Sequence, residues 1–237
     1  MGCTYLQRNK YNMTISIIEQ FVRVFAPHLC VGCGVEEDRL LCRACAEKLP
    51  LAPSHCYRCK VTTESYAVCR SCAPHTQLNR VVVGTPYQGV ARALVHRMKY
   101  ERARAGVGEI ATWLAPLMAH FSERMVLVPV PTATSRIRAR GYDHARLLTR
   151  VLAHRTSLPY RLLLARSGQA HQVGASRAGR LNQLQGTFRP VHTEQIKGRH
   201  VVLVDDVLTT GASLETAART LRRAGAASVS AIVFAEA

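Results

Sequence analysis

The sequence contains little of three things: long apolar runs, acidic residues and aromatic residues. Its apolar runs are short, Val201 to Val204 being typical, whereas a helix that crosses a bilayer needs about 20 such residues in succession. The N-terminus also lacks the basic stretch, the apolar stretch and the small-residue cleavage site of an export signal. We therefore expect a cytoplasmic protein that is not integral to a membrane.

Acidic residues are so few that the chain is strongly basic. Lys and Arg number 32 against 15 Asp and Glu, which gives a formal net charge of +17 at pH 7. Residues 88–190 hold most of this charge, with 17 basic and 4 acidic residues. Such a field commonly serves a polyanion, either the phosphate groups of a small ligand or a nucleic-acid backbone. The alternative is an ordinary solvated basic surface.

Cysteine, in contrast, is present in a regular pattern. Eight of the nine cysteines form four Cys-x-x-Cys pairs, at Cys30 and Cys33, Cys42 and Cys45, Cys56 and Cys59, and Cys69 and Cys72. Two residues between thiolates let a tight turn aim both sulfurs at one tetrahedral ion, and two pairs complete a four-sulfur site. We therefore predict two Zn²⁺ sites, which are structural because four thiolates leave no open coordination position. Sequential pairing needs only short excursions, and interleaved pairing is left open.

The composition divides the chain into three parts. Residues 1–27 are predicted to be partly disordered and then to form an amphipathic helix that begins near Met13. Residues 28–75 are predicted to be a double zinc-binding ribbon. Residues 80–237 show apolar runs alternating with helical patterns, which is typical of parallel strands joined by helices. We therefore predict an α/β fold with a parallel sheet behind an N-terminal cysteine-rich module.

Five apolar runs and four helical patterns define this α/β part. The strands are predicted at Val81 to Val83, Met125 to Val130, Arg161 to Leu164, Val201 to Val204 and Ser228 to Phe234. The helices are predicted at Val90 to Tyr100, Ala105 to Phe121, Tyr142 to His154 and Ala212 to Arg223. In open sheets of this kind, ligands bind outside the carboxyl ends of the strands.

The segment from Val201 to Ser213 carries the most specific chemistry. Four apolar residues form a buried strand, Asp205 and Asp206 sit at its C-terminal end, and a Thr-Thr-Gly-Ala-Ser turn opens the following helix. This arrangement resembles the phosphoribosyl pyrophosphate (PRPP) loop of type I phosphoribosyltransferases. The two carboxylates are expected to accept hydrogen bonds from the ribose hydroxyls, and the 5-phosphate is expected at the helix N-terminus. The residues expected around that phosphate are Thr209, Thr210, Gly211, Ala212 and Ser213.

A different kind of site is disfavoured. Paired aspartates after a strand also occur in magnesium sites of the Walker-B kind, but no G-x-x-x-x-G-K-[ST] loop accompanies them in this sequence.

Several further motifs, taken in order with the Cys-x-x-Cys pairs and the 201–213 loop, are similar to those of the ComF family. They are His96-Arg-Met-Lys-Tyr100, Val128-Pro-Val-Pro131, Arg140-Gly-Tyr-Asp-His144, and Gln172 with Ser176, Arg180 and Asn182. The resemblance covers nearly everything from about Cys30 to Phe234. One departure is Asp143 with His144, where many family members carry Asn and Gln. The resemblance implies a type I phosphoribosyltransferase-like sheet behind a double zinc ribbon.

The same motifs predict a pyrophosphate site. Pro131 and Thr132 end a strand and begin a loop, near Arg136 and Arg140, whose guanidinium groups suit charge-assisted hydrogen bonds to phosphate. Lys99 closes a helix and is expected either to reach the same anion or only to complement the helix dipole.

A polar segment over residues 165–190 is predicted to be a hood or mobile loop above the site. Its candidate residues are Gln172, Ser176, Arg180 and Asn182. The alternative is an ordinary surface loop.

Two functions follow as expectations. The ComF resemblance implies a role in natural transformation, in which the protein binds PRPP and single-stranded DNA at the cytoplasmic side of the DNA import channel, with ATP-driven competence proteins as further partners. Aromatic residues make up only 6% of the chain, so contacts to the DNA backbone would outweigh base stacking. The alternative is an active phosphoribosyltransferase that uses Mg²⁺ with PRPP and an unidentified acceptor. The catalytic residues and the turnover itself cannot be inferred from the sequence.

Overall fold

The computed structural model describes residues 28–100, 105–121, 124–167 and 187–237. The predicted helix near Met13 and the predicted hood residues Gln172, Ser176, Arg180 and Asn182 lie outside these ranges. The strands within them are β1 (His28–Leu29), β2 (Glu36–Glu37), β3 (Val81–Pro86), β4 (Met125–Pro129), β5 (Leu164–Arg166), β6 (Phe188–Pro190), β7 (His200–Leu208) and β8 (Ser228–Glu236). The α-helices are α1 (Arg43–Glu47), α2 (Gly89–Tyr100), α3 (Ala105–Leu114), α4 (Thr134–Arg140), α5 (His144–Thr156) and α6 (Ala212–Arg223).

A parallel sheet of four strands forms the centre of the molecule. Its order is β3-β8-β7-β4, so β7 lies between β8 and β4. Val201 to Val204 in β7 and Ala231 to Ala235 in β8 have no solvent exposure. Strands that are buried on both faces are continuously apolar rather than alternating, which is why these strands were visible in the sequence. The predicted α/β fold with a parallel sheet is confirmed.

The helices pack on the faces of this sheet, and the two ends of its strands form two different edges. Helix α3 packs on α5, α5 packs on β4 and β7, and α6 packs on β7 and β8. The strands all run the same way, so their carboxyl ends meet at one edge, here called the C-terminal edge and marked by Pro86, Pro129, Leu208 and Glu236. The opposite edge, marked by Val81, Met125, His200 and Ser228, is called the N-terminal edge.

The cysteine-rich residues 28–76 pack against the sheet. Leu41, Tyr57 and Tyr66 are buried in the same cluster of apolar residues as the central strands. Arg39 adds two hydrogen bonds, of 3.1 and 2.5 Å, to the carboxylate of Glu109 on α3. The cysteine-rich part and the sheet therefore share one core.

One strand differs from the sequence-based prediction. The strand predicted at Arg161 to Leu164 instead runs from Leu164 to Arg166 and pairs antiparallel with β6. Before it, the Leu127 amide donates to the Pro159 carbonyl at 2.8 Å, and the Leu127 carbonyl accepts the Arg161 amide at 3.0 Å. Residues 159–161 thus meet the sheet at a single bridge, because the chain then turns away to pair with β6.

Two helices also differ. The helix predicted at Ala105 to Phe121 ends at Leu114 and is followed by a 3-10 helix, Pro116–His120, since proline cannot donate the backbone hydrogen bond of an α-helix interior. Helix α4 was not predicted; it is short and ends at Gly141, whose φ is +79°. Within the described ranges, no helix is both long and apolar enough to cross a membrane.

Gly84 in β3 has no room for a side chain. A Cβ atom there would lie 2.7 Å from the Phe234 carbonyl oxygen and 3.0 Å from Trp113 Cδ1. We expect Gly84→Ala to lower the free energy of unfolding by about 1–3 kcal/mol, because β3 must shift relative to β8. Thermal or urea unfolding measures the effect.

Gly108 on α3 supplies the matched control for this prediction. Nothing lies within 4 Å of a Cβ atom placed there, so Gly108→Ala should raise the stability by up to about 1 kcal/mol through helix propensity. A Gly84→Ala variant as stable as the unsubstituted protein would contradict the close contact between β3 and β8.

Candidate functional site

Asp205 and Asp206 lie inside β7, close to the C-terminal edge. The strand continues to Leu208, so the two aspartates belong to it instead of following it as the sequence suggested. Asp205 is partly exposed and its Oδ1 accepts the Asp206 amide at 2.9 Å, whereas Asp206 is only 4% exposed. A buried carboxylate needs charged or hydrogen-bonding partners, and Asp206 has them.

These partners form the carboxylate network, which consists of Lys99, Arg140, His144 and Asp206. Lys99 Nζ lies 2.7 Å from Asp206 Oδ2, and His144 Nε2 lies 3.5 Å from the same oxygen. Arg140 Nη1 lies 2.9 Å from His144 Nδ1, and its guanidinium lies 5.7 Å from the centre of the Tyr100 ring. The network therefore ties α2, α4 and α5 to β7.

The network sets the protonation of the two carboxylates. Burial alone would raise the pKa of Asp206, but the adjacent His144 and Lys99 outweigh it and hold that pKa below its usual value. Desolvation, followed by the charge of Asp206, raises the pKa of Asp205 to about 8. Burial lowers the pKa of His144. Near neutral pH, Asp206 is therefore the ionised member of the pair.

The loop after β7 presents polar groups to solvent at the N-terminus of α6. Thr209, Thr210 and Ser213 are exposed, and Gly211 is buried with a φ of +74°, which other residues rarely adopt. The Ala212 amide donates to Thr210 Oγ1 at 3.4 Å. No side chain of the described residues caps the helix at Gly211. The first amides of α6 thus face an open position that suits an anion.

The predicted pyrophosphate residues fall into an exposed group and a buried group. Pro131 and Thr132 are partly exposed between β4 and α4, and Arg136 is exposed on α4. Arg140 is only 8% exposed, and both Arg140 and Lys99 belong to the carboxylate network. Lys99 therefore pairs with Asp206 and Arg140 with His144, and the exposed group is the part open to a ligand.

Two residues of this region were not among the candidates from sequence. His144 lies between Arg140 and Asp206, and its departure from the family pattern was the only signal for it. Arg166 Nη1 lies 3.5 Å from the Pro131 carbonyl oxygen. The Nε of Arg166 is buried without a hydrogen-bond partner among the described residues. Arg166 is thus a second cation beside the Pro131 loop, and it was missed because its strand was predicted three residues too early.

A divalent cation fits this region in part. His144, Asp205 and Asp206 offer ligand atoms that lie within 4.8 Å of one another. Lys99, 2.7 Å from Asp206 Oδ2, already neutralises one carboxylate, and Mg²⁺ prefers oxygen ligands, commonly those of water and phosphate. Mg²⁺ therefore suits this site together with a phosphate-bearing ligand, with Asp205 as the neighbouring carboxylate.

The eight paired cysteines form two separate clusters. The first quartet is Cys30, Cys33, Cys42 and Cys45, and the second quartet is Cys56, Cys59, Cys69 and Cys72; in each, the sulfurs lie within 4.8 Å of one another. Of the two pairings left open by the sequence, this is the sequential one. Each quartet fits one tetrahedral zinc ion with no open position for chemistry.

Backbone amides lower the pKa of one cysteine in each quartet. Burial alone would raise the pKa of Cys30, but amide hydrogen bonds, first that from Cys42, lower it to about 6. At Cys56 burial is likewise outweighed by amide hydrogen bonds, first that from Cys69, and the pKa falls to about 6. Because the thiolate is the metal-binding form, each quartet contains one sulfur that is readily ionised at neutral pH.

Comparison with protein families matches both parts of the structure. Residues 21–73 match the double zinc ribbon domain, and residues 99–237 match the phosphoribosyl transferase domain. The second match spans more than half of the chain. Both quartets lie within the first match, and β4, β7, β8 and the 201–213 loop lie within the second.

Curated relatives match over most of the chain. The competence protein ComFC of Bacillus subtilis is 29% identical over 216 residues, which cover 84% of this chain and 85% of that protein. Competence protein F of Haemophilus influenzae is 26% identical over 207 residues, covering 83% and 85%. The DNA utilization protein YhgH of Salmonella typhimurium is 30% identical over 216 residues, covering 80% and 93%. Such coverage, together with two domain matches in the expected order, shows that the chain belongs to the ComF family of phosphoribosyltransferase-type proteins.

Proposed function

We propose that this protein binds PRPP together with Mg²⁺ at the C-terminal edge, and that it handles single-stranded DNA in natural transformation. The observation that carries the first part is the position of Asp205 and Asp206 just before an uncapped, exposed helix N-terminus. Ligands of open α/β sheets bind outside the carboxyl ends of the strands. A sugar phosphate needs hydroxyl acceptors and a phosphate cradle, and both lie side by side here.

Each part of PRPP has a suitable partner at this edge. The ribose hydroxyls can donate hydrogen bonds to Asp205 and Asp206, and the carboxylate network keeps Asp206 ionised and in place. The 5-phosphate suits the exposed loop of residues 209–213 and the amides of α6. The pyrophosphate suits the Pro131 loop beside Arg136 and Arg166, where guanidinium groups give charge-assisted hydrogen bonds and Mg²⁺ offsets further charge.

The DNA part of the proposal is supported by an arginine track on the surface. The track consists of Arg146, Arg150 and Arg155 on α5, followed by Arg161 and Arg199. All five side chains are exposed, and none has an ion-pair partner among the described residues. Arg146 and Arg155 are nine residues apart on α5, so this part of the track extends about 14 Å, enough for two or three phosphates of a single strand.

The surface under the track is concave. A groove of about 900 Å³ between α3 and α5 is lined by Arg146, Arg150, Arg155 and Tyr160. Three carboxylates also line it, of which Glu109 is paired with Arg39 and Asp143 caps α5. A cavity of about 200 Å³ adjoins it at the N-terminal edge and is lined by Arg124, Arg161 and Arg199, with no acidic residue among its described lining. Tyr160 lines the groove, and its chain neighbours Pro159 and Arg161 line the cavity.

The relatives' names suggest the process. One is called a DNA utilization protein and two are called competence proteins. We propose that this protein acts in the cytoplasm, or at the inner face of the membrane through partners, where the DNA import channel and ATP-driven competence proteins deliver a single strand. The arginine track lies along α5 and reaches the edge opposite the PRPP site, so both ligands fit at once.

An alternative function is transfer of the phosphoribosyl group to an unidentified acceptor. The observation that favours it is the pair of cations, Arg136 and Arg166, near the Pro131 loop. The bond from ribose C1 to pyrophosphate breaks and a bond to the acceptor forms, while these cations and Mg²⁺ stabilise the departing pyrophosphate. Pyrophosphate release in the presence of candidate bases, absent in the variant Asp205→Asn with Asp206→Asn, would establish this alternative.

Removal of both site carboxyl groups tests the PRPP proposal. We expect Asp205→Asn with Asp206→Asn to weaken PRPP binding at least about tenfold, because hydrogen bonds to a charged acceptor are lost. Isothermal titration with Mg²⁺ and PRPP measures it. Glu64→Gln, an exposed carboxylate in the cysteine-rich part, is the control and should bind normally. Equal affinity of all three proteins would contradict the proposal.

Asp205→Asn alone should stabilise the protein without ligand. The pKa of Asp205 rises on folding from its usual value of 3.8 to about 8, so the stability this group contributes is present at low pH and lost as pH rises through that window. Asparagine does not ionise. After allowance for the partial exposure of Asp205, we expect a gain of about 1 kcal/mol, or 2–4 °C in Tm, at pH 8. Thermal unfolding at pH 5 should show a smaller gain, and a gain that grows toward low pH would contradict the assignment.

The salt dependence of DNA binding tests the arginine track. We expect Arg150→Gln with Arg161→Gln to weaken binding to an oligothymidine strand and to reduce the slope of log affinity against log salt by about 1.4, since each lost phosphate contact removes about 0.7. Fluorescence anisotropy at several salt concentrations measures the slope. Arg43→Gln, an exposed arginine on α1, is the matched control. An unchanged slope in the double variant would place the DNA elsewhere.

A further inference from the structure

The second zinc quartet lies beside the phosphate loop, and the two residues between its first two ligands make the contact. Tyr57 and Arg58 stand between Cys56 and Cys59. Tyr57 is only 7% exposed, and its hydroxyl donates a hydrogen bond to Glu215 Oε1. Arg58 Nη1 lies 2.6 Å from the same carboxylate oxygen. The turn that aims two sulfurs at the metal thus also holds an acidic residue of α6.

The contact is completed by the end of the cysteine-rich part. Thr76, four residues after the last cysteine of the second quartet, donates its hydroxyl to Glu215 Oε2 at 2.9 Å. Both carboxylate oxygens of Glu215 are therefore occupied by groups from residues 57–76. Glu236, at the carboxyl end of β8, is held in the same way by Lys60 and by His55 Nε2 at 2.8 Å. The second quartet is thus fastened to the C-terminal edge at two points.

The Tyr57 ring also touches the phosphate loop itself. A Cβ atom on Gly211 would lie 3.2 Å from Tyr57 Cε2, so the ring rests against the backbone of this residue. Gly211 precedes α6 with a φ of +74°, and its carbonyl accepts the Glu215 amide at 2.9 Å. The first turn of α6 is therefore contacted at both ends: the Tyr57 ring packs against Gly211, and residues 57–76 bind the Glu215 carboxylate.

The position of Glu215 creates an electrostatic problem that this contact solves. A carboxylate in the first turn of a helix is favourable for the helix, but it repels a phosphate bound at the same N-terminus. Arg58 neutralises Glu215, and Tyr57 and Thr76 hold both of its oxygens on the side of the zinc module. The amides of α6 then act on a ligand without an opposing negative charge nearby.

We propose that the second zinc quartet is part of the phosphate site: its metal holds Tyr57 and Arg58 against α6, and they position residues 209–213 and neutralise Glu215 for the 5-phosphate. The proposal rests on the proposed function that this loop receives the 5-phosphate of PRPP. Tyr57 and Arg58 act as positioning residues, since they reach the ligand only through Gly211 and Glu215. The first quartet contacts a different element, since a Cβ atom on Gly32, between Cys30 and Cys33, would lie 3.3 Å from Val90 of α2.

The test compares two probes that occupy different ends of the site. Ribose 5-phosphate reports on the loop of residues 209–213, and inorganic pyrophosphate with Mg²⁺ reports on the Pro131 side. We expect Tyr57→Phe, which keeps the ring and removes the hydroxyl, to weaken ribose 5-phosphate binding about three- to tenfold and to leave pyrophosphate binding unchanged. Zinc content should stay the same, and the loss of one hydrogen bond should lower Tm by only a few degrees, so the variant is fully folded at the temperature of the binding assay.

A charge rescue separates positioning from general structural support. Arg58→Gln leaves the Glu215 carboxylate without its cation and should weaken ribose 5-phosphate binding about tenfold, less so at high salt. Adding Glu215→Gln removes the repelling charge and should restore the affinity to within about twofold. If Arg58 only supported the fold, the two losses would add instead of cancelling.

A matched pair of ligand substitutions then tests the metal. Cys59→Ser and Cys33→Ser each remove an exposed second cysteine of a Cys-x-x-Cys pair, in the second and first quartet respectively. We expect only Cys59→Ser to weaken ribose 5-phosphate binding selectively. Unchanged binding in Tyr57→Phe, in Arg58→Gln and in Cys59→Ser would overturn this inference alone, whereas a protein with no affinity for PRPP or ribose 5-phosphate would overturn the proposed function as well.

Discussion

The parallel pairing of β7 with β4 on one side and β8 on the other is the constraint on which the rest of the structure depends. It brings the carboxyl ends of the central strands to one edge, so the Pro131 loop, the 209–213 loop and Glu236 become neighbours although they are far apart in sequence. The sheet can be parallel only because helices cross over between its strands and bury it. The candidate site is therefore a consequence of strand direction and not of any local motif alone.

Within that frame, the chemistry at the edge depends on how two adjacent carboxyl groups are kept different. Two like charges so close cannot both be ionised without a large energetic cost, and the carboxylate network resolves this by placing Lys99 and His144 within ion-pair distance of Asp206. Burying an ion pair is rarely favourable for stability, so the network is better explained by the site than by the core. The C-terminal edge thus has one carboxylate that stays ionised, Asp206, and one carboxyl group, Asp205, whose pKa is raised to about 8.

The sequence could predict those features that depend on the spacing of neighbouring residues. Two residues between cysteines define a metal-binding turn, and an apolar run that leads into Asp205, Asp206 and a Gly-containing turn places two carboxyl groups beside a helix N-terminus. The apolar strands were found because burial on both faces leaves unbroken runs. Each of these signals depends only on neighbouring residues in the sequence and does not depend on how distant segments pack.

What the sequence could not predict depends on packing between distant segments. In the sequence, Glu215 is an ordinary acidic residue in the first turn of a helix. Its contacts with Tyr57, Arg58 and Thr76 are visible only in the structure. Arg166 was hidden because the chain after Arg161 pairs with β6 instead of extending the sheet, a choice made by a partner strand more than 20 residues away. From the sequence, Lys99 and Arg140 were predicted to bind a ligand anion. The structure shows that Lys99 pairs with the buried Asp206 and that Arg140 contacts His144.

The place of β8 in the sheet has a consequence for how the molecule is made. The strand formed by residues 228–236 lies between β3 and β7 and not at an edge, and its Glu236 receives His55 and Lys60 of the cysteine-rich part. Before residues 228–236 are in place, β3 lacks the described strand with which it pairs, and the second quartet lacks one of the two carboxylates that hold it at the C-terminal edge. The metal-binding turns are close in sequence and can form before residues 228–236 are in place, whereas the contact that joins them to the sheet needs this later strand. The site at the C-terminal edge is therefore complete only after β8 has paired with β3 and β7.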